Sequence, residues 1–167
     1  GVALGLMISG RLKKCVAILE KIAKGDLTDR IEIKTADEFK QVADSLNKVS
    51  QNILEMANDT NSLVKSALAG QLTIRADASK HEGSYRKIVE GINSTLDAVT
   101  APIDISAGYI DRISRGDLPD SITEEFKGDF NVIKEKLNLA ITNIHALVSD
   151  ANMLAEAAVA AALQTRA

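Results

Sequence analysis

Apolar residues recur along this chain at three- and four-residue steps, the spacing of amphipathic helices. In the first stretch Leu12, Cys15 or Val16, Leu19 and Ile22 make one stripe, and Gly25 ends it. A second helix is predicted to begin at Thr35-Ala36-Asp37-Glu38, which has the spacing of a capping box. Phe39, Val42, Leu46, Val49, Ile53 and Met56 follow in alternating steps, the period of about 3.5 residues that marks a left-handed coiled coil. The stripe continues through Thr60, Leu63 and Ala67 to Gly70. A further stripe runs from Val89 through Ile92, Leu96, Val99, Ile103, Ser106 and Ile110 to Ile113. Pro102 lies inside it and is expected to remove one helical hydrogen bond, bending or interrupting the helix there. No segment reads as a β-strand.

The pattern is repetitive. Gly25-Asp26-Leu27, Gly70-Gln71-Leu72 and Gly116-Asp117-Leu118 stand 45 and 46 residues apart. Phe39, Tyr85 and Phe130 stand 46 and 45 apart, and each precedes an aliphatic-Asn pair by seven residues: Leu46-Asn47, Ile92-Asn93 and Leu137-Asn138. Two landmarks in step define a repeat. The first and third modules share Gly-Asp-Leu, Phe39/Phe130 and Ile31/Ile122, whereas the second has Ala76 at the Ile position. The second module instead matches the C-terminal tail at a shift of 91 residues, through Asp59/Asp150, Asn61/Asn152, Leu63/Leu154, Ala67/Ala158, Leu72/Leu163, Arg75/Arg166 and Ala76/Ala167. Two module types therefore alternate, and the tail reads as the start of a fourth module, with Ala161 in place of the turn glycine. The boundaries are residues 10–53, 54–99, 100–145 and 146–167.

Each module reads as helix, linker, helix. Twelve residues separate Gly25 from Glu38, far more than the two to five of a tight helical hairpin. Extended, they reach roughly 40 Å, enough to run back along a 15-residue helix of about 22 Å. The two helices of a module are then parallel, with Leu27 and Ile31 pinning the first linker, Leu118 and Ile122 the third, and Leu72 with the smaller Ala76 the second. Two parallel helices with single apolar stripes cannot enclose a core, so a second identical chain is expected to complete a parallel four-helix bundle. The fold class is all-α: parallel dimeric four-helix coiled-coil bundles stacked end to end and joined by continuous helices.

Composition adds little chemistry. The net charge is -3, which offers no electrostatic reason to expect nucleic acid. Cys15 is the single cysteine and reads as a small buried hydrophobe on the helix stripe. The two histidines, His81 and His145, are far apart in sequence and read as solvent-facing polar residues, without the convergent ligands a metal or catalytic site needs. Asp26 and Asp117 read as turn residues. No cofactor and no enzymatic activity are expected. Residues 1–9 are uncharged and mostly apolar, and Arg11, Lys13 and Lys14 follow. That arrangement suits the end of a transmembrane helix entering the cytoplasm.

The same residues resemble a HAMP domain. The resemblance lies in Leu19 to Leu27 with Ile31, Asp37-Glu38-Phe39 and Leu46, and again in Pro102 with Ile113 to Leu118. Glu38, the acid at the start of a second helix, is matched by Asp129 but replaced by Ser84 in the second module. Pro102 is replaced by Arg11 and Met56 in the other two modules. The second module, with Leu72 to Lys80 and Ile88 to Asn93, is most similar to arrays of bacterial methyl-accepting chemotaxis receptors. The resemblance implies a dimeric relay between an upstream transmembrane or sensor segment and a downstream output domain, on the cytoplasmic side of the inner membrane. The alternatives are a passive coiled-coil spacer, the HAMP linker of a sensor histidine kinase, and a helical ligand-binding or enzymatic domain.

Overall fold

The computed structural model describes residues 2–165, with side chains from residue 8 onward. The last two matched pairs of the tail, at Arg166 and Ala167, lie outside the described residues. Among those described there are four α-helices, one 3-10 turn and no strand. The helices are α1 (Val2–Ala23), α2 (Glu38–Leu68), α3 (Gly83–Ser114) and α4 (Asp129–Gln164), with the turn at Ala78–Lys80. The fold is all-α.

The three predicted turns share one hydrogen-bonding device. Gly25, Gly70 and Gly116 have φ of 84°, 76° and 78°. Around Gly25, the Asp26 amide donates to the Lys21 carbonyl (3.0 Å) and the Gly25 amide to Ile22 (2.9 Å). The same pair of bonds links Gln71 to Ser66 and Gly70 to Ala67, and Asp117 to Arg112 and Gly116 to Ile113. This is the Schellman arrangement, which satisfies the last helical carbonyls and needs a left-handed residue. The Gly-x-Leu landmark therefore marks helix ends, as its spacing implies.

α2 starts at Glu38, but its cap is Asp37, whose carboxylate accepts from the Lys40 amide. The expected box opening at Thr35 is thus displaced by two residues, because Thr35 still lies in the linker. α2 runs on without a break through the border of the first two modules to Leu68, as the continuous stripe predicts. α3 is likewise one helix from Gly83 to Ser114, with Pro102 inside it. Of the two outcomes expected at Pro102, a bend or an interruption, the interruption is absent: the helix is continuous. Proline removes only its own N–H bond, and the flanking turns are tied by side chains: the Ser106 hydroxyl donates to the Pro102 carbonyl at 2.7 Å and the Thr100 hydroxyl to Asp97.

The chain divides into two compact units, residues 1–96 and 97–167. In the first, contacts between α1, its linker and α2 fix direction. Arg11 pairs with Asp37 at the start of α2, and its guanidinium lies 5.9 Å from the Phe39 ring centroid. Cys15, Ile31 and Ala43 form a buried cluster, joined by Ile18, Ile33 and Leu46. Rising numbers on α1 thus meet rising numbers on α2, and the helices are parallel. The linker runs the other way along α2: Asp37 lies at its start, Ile31 meets Asn47, and Arg30 reaches Gln51. In the second unit the linker also runs against α4, with Lys134 donating to the Glu124 carbonyl, Asn138 bonded to Ile122, and His145 near the Pro119 carbonyl.

Substitutions at two glycines of the first unit should move stability in opposite directions. A Cβ at Gly70 meets no atom within 4 Å, so Gly70→Ala is opposed by its φ alone, a cost of about 1–2 kcal/mol. Gly91, inside α3, also has open space, so Gly91→Ala should gain roughly 0.5–1 kcal/mol of helix propensity. Urea unfolding of the two variants checks both signs.

Candidate functional site

Three asparagines hold the linkers. The Asn47 side-chain carbonyl accepts from the Ile31 amide (2.9 Å), and its NH2 donates to the Ile31 carbonyl (3.0 Å). Asn93 does the same with Ala76 (3.0 and 2.8 Å), and Asn138 with Ile122 (2.7 and 3.1 Å). A carboxamide carries one acceptor and two donors in a plane, so it pairs with both backbone groups of one residue, as a neighbouring strand would. An extended linker has no ladder of its own, and the clamp satisfies groups that are costly to leave unpaired. These asparagines are landmarks of the repeat, but sequence reasoning assigns them no role. Their invariant place, one residue after a seam aliphatic, was the signal available.

The predicted anchors flank each clamp. Leu27, Ile31 and Ile122 are buried, whereas Leu72, Ala76 and Leu118 are half-buried. Phe39, Tyr85 and Phe130 are half-buried near the starts of α2, α3 and α4, and the acids Glu38 and Asp129 are exposed at the first residues of α2 and α4. Ser84 takes the second position of α3. Small residues missed by the heptad reading complete the inner face: Ala43 and Ser50 are each 1% exposed. They stand seven residues apart and one position beyond Val42 and Val49, where a small side chain lets the linker approach the helix.

His81 corrects its expected position. It is buried, with Nε2 2.8 Å from Asp59 Oδ2, and the Arg86 Nε donates to its carbonyl. His145 is exposed as expected, though its Nε2 lies 3.2 Å from the Pro119 carbonyl. Cys15 is a buried free thiol. Among the described residues, no three His, Cys, Asp or Glu side chains group as metal ligands would.

The other side of each helix is apolar and uncovered. Leu12, Val16 and Leu19 on α1, Val42 and Val49 on α2, Val99, Ile103 and Ile110 on α3, and Val132 and Ile133 on α4 are all exposed. Leu12 keeps 55% of its surface and Ile110 57%. These residues include the seam positions of the heptads, so the contacts within one chain bury only the inner edge of each stripe. α4 is also long and apolar enough, by length and composition, to cross a membrane.

Acid should loosen the linkers. Hydrogen bonds from the Thr28 hydroxyl and amide hold the Asp26 carboxyl below its ordinary value, those from Ser79 do so for Asp77, and the Arg112 bond does so for Asp117. Partial desolvation pushes Asp37 up, but its hydrogen bonds and the Arg11 charge outweigh that, and it too lies low. A carboxyl with a lowered folded pKa stabilises the fold above its unfolded value, and that contribution fades as pH falls through the folded one. Thermal unfolding should therefore be flat for these groups above about pH 5 and decline below about pH 4. A second expected outcome concerns the clamp: Asn47→Ala removes two hydrogen bonds and should cost about 1–3 kcal/mol. Hydrogen exchange at the Ile31 amide should rise with it.

Comparison with known families agrees with the geometry. Residues 3–55 match the HAMP domain family, and residues 80–146 match it a second time. The first match covers α1, its clamped linker and the start of α2. The second runs from the 3-10 turn before α3 through the third linker into α4. Two matches in tandem, each on a helix that ends in a glycine turn and a linker returning along the next helix, place the chain in the HAMP family as a tandem HAMP array.

Proposed function

We propose that this array is the signal-relay segment of a bacterial transmembrane receptor of the methyl-accepting chemotaxis type. HAMP domains are signalling linkers of receptors rather than catalytic domains. The finer reading is that two copies of the chain associate in parallel, stacking four-helix bundles that repack between two arrangements. The observation that carries it is the exposed apolar edge of the helices: Leu12, Val16, Val42 and Val49 in the first unit, and Ile103 and Ile110 in the second, need cover, and an identical chain offers the same edges. The partners are thus a second copy, an upstream transmembrane or sensor segment and a downstream output domain. The apolar start of α1 followed by Arg11, Lys13 and Lys14 supports a place just inside the inner membrane. The alternation of module types supports a chemotaxis receptor over a histidine kinase, and the clamped linkers support a relay over a passive spacer, which has no use for them.

In this mechanism a small piston, tilt or rotation of α1 biases the first module, and α2 and α3, each shared by two modules, hand the bias on. Shifting a module from 1:99 to 99:1 takes about 5.5 kcal/mol. The second module is the looser one, because Ala76 presents less apolar surface than Ile31 or Ile122. The C-terminal half of α4 continues the array as the first helix of a fourth module.

Two outcomes test the reading. In a Cys15→Ala background, Val42→Cys and Val49→Cys should form disulfides between copies, and sedimentation should give twice the 17.8 kDa chain mass. A 17.8 kDa species without cross-links would overturn the dimer. Ala76→Ile should shift the cross-linking pattern along α3 toward that of the neighbouring modules, and an unchanged pattern counts against two-state repacking.

A further inference from the structure

The second linker ends on a buried histidine, hydrogen-bonded to a carboxylate, that the other modules lack. His81 stands twelve residues before the clamp asparagine, and Asp59 eleven before the turn glycine. At the same two places the first module has Thr35 and Lys14, and the third has Phe126, which is buried, and Ile105. The imidazole is 2% exposed, its Nε2 is 2.8 Å from the Asp59 carboxylate, and Asp59 is 30% exposed. Two bonds fix the backbone of His81: its amide donates to the Ala78 carbonyl and its carbonyl accepts from the Arg86 Nε. The linker end is therefore tied to α3 through the Arg86 side chain and to α2 through the imidazole.

We propose that the His81–Asp59 pair is a proton-sensitive latch on the second linker. A neutral imidazole gives Asp59 one ordinary hydrogen bond; a protonated one gives a charge-assisted bond, roughly twice as strong. Histidine is the side chain whose charge ordinarily changes between pH 5 and 8. The charged and titratable groups about the ring are Lys48 and Asp59 on α2, Asp77, Lys80 and Glu82 in the linker, and Tyr85 and Arg86 on α3. Besides Asp59 they comprise three cations, two anions and a tyrosine, and Asp59 is the carboxylate at 2.8 Å from the ring nitrogen. Protonation of the ring tightens the second linker, and the module with the weakest apolar anchor, Ala76, is the one so controlled. Its consequence for signalling rests on the relay reading; the latch itself does not.

The test is hydrogen exchange of linker amides 70–82, corrected for intrinsic rates, on the whole chain at pH 8 and pH 5.5. Protection should rise about five-fold at the lower pH, and NMR of the His81 ring should titrate with the same midpoint, with exposed His145 as reference. The rise should vanish in His81→Phe, the residue found in the third module, and in Asp59→Asn. A wild type whose linker protection is unchanged or lower at pH 5.5 overturns the latch, as does a rise that survives in His81→Phe. Cross-linking at Val49→Cys, scored separately, tells whether the dimeric relay has failed instead.

Discussion

The architecture depends on one constraint: an extended linker must travel back along its own helices with its backbone groups satisfied. A strand solves this with a ladder of neighbours. Here each linker has helices beside it, whose backbone bonds are already used, so the pairing comes from a side chain. The carboxamides of Asn47, Asn93 and Asn138 supply it at one residue per linker. Once the linker is held there, its length obliges the next helix to start level with the beginning of the previous one. Parallel direction, the buried cluster of Cys15, Ile31 and Ala43, and the outward turn of the remaining apolar edge all follow from that return path.

The helix ends are the other fixed points. Three left-handed glycines close three helices with the same pair of backbone bonds, so each linker leaves its helix in the same direction. The apolar anchors then settle how firmly it lies down. Leu27 and Ile31 do so in the first module, and Ile122 with buried Pro119 and Phe126 in the third. The second relies on half-buried Leu72 and Ala76 together with the polar contact of His81. Strength of attachment therefore varies between modules while geometry is preserved.

Much of this was legible in the residues. The 45- and 46-residue spacing, the turn glycines, the continuous helices through Thr60 and Leu63, and the parallel direction all follow from periodicity and linker length. The cap differs from the box spacing because Thr35 and Asp37 are both good capping residues, and Asp37 has both the Lys40 amide and the distant Arg11 as partners. At Pro102 the expected loss of one bond leaves the helix uninterrupted, because a long helix with Ser106 and Thr100 beside it absorbs that loss. His81 was misjudged because its partner, Asp59, lies 22 residues upstream, across a linker whose path no local pattern reveals. Ala43 and Ser50 escaped because small residues carry almost no hydrophobic signal, although close packing depends on them.

The carboxamide contact touches main chain only. Whatever side chain occupies the gripped residue, isoleucine or alanine, the grip is the same. An exchange of one aliphatic group can therefore change how tightly a linker sits while the two hydrogen bonds that grip it stay the same.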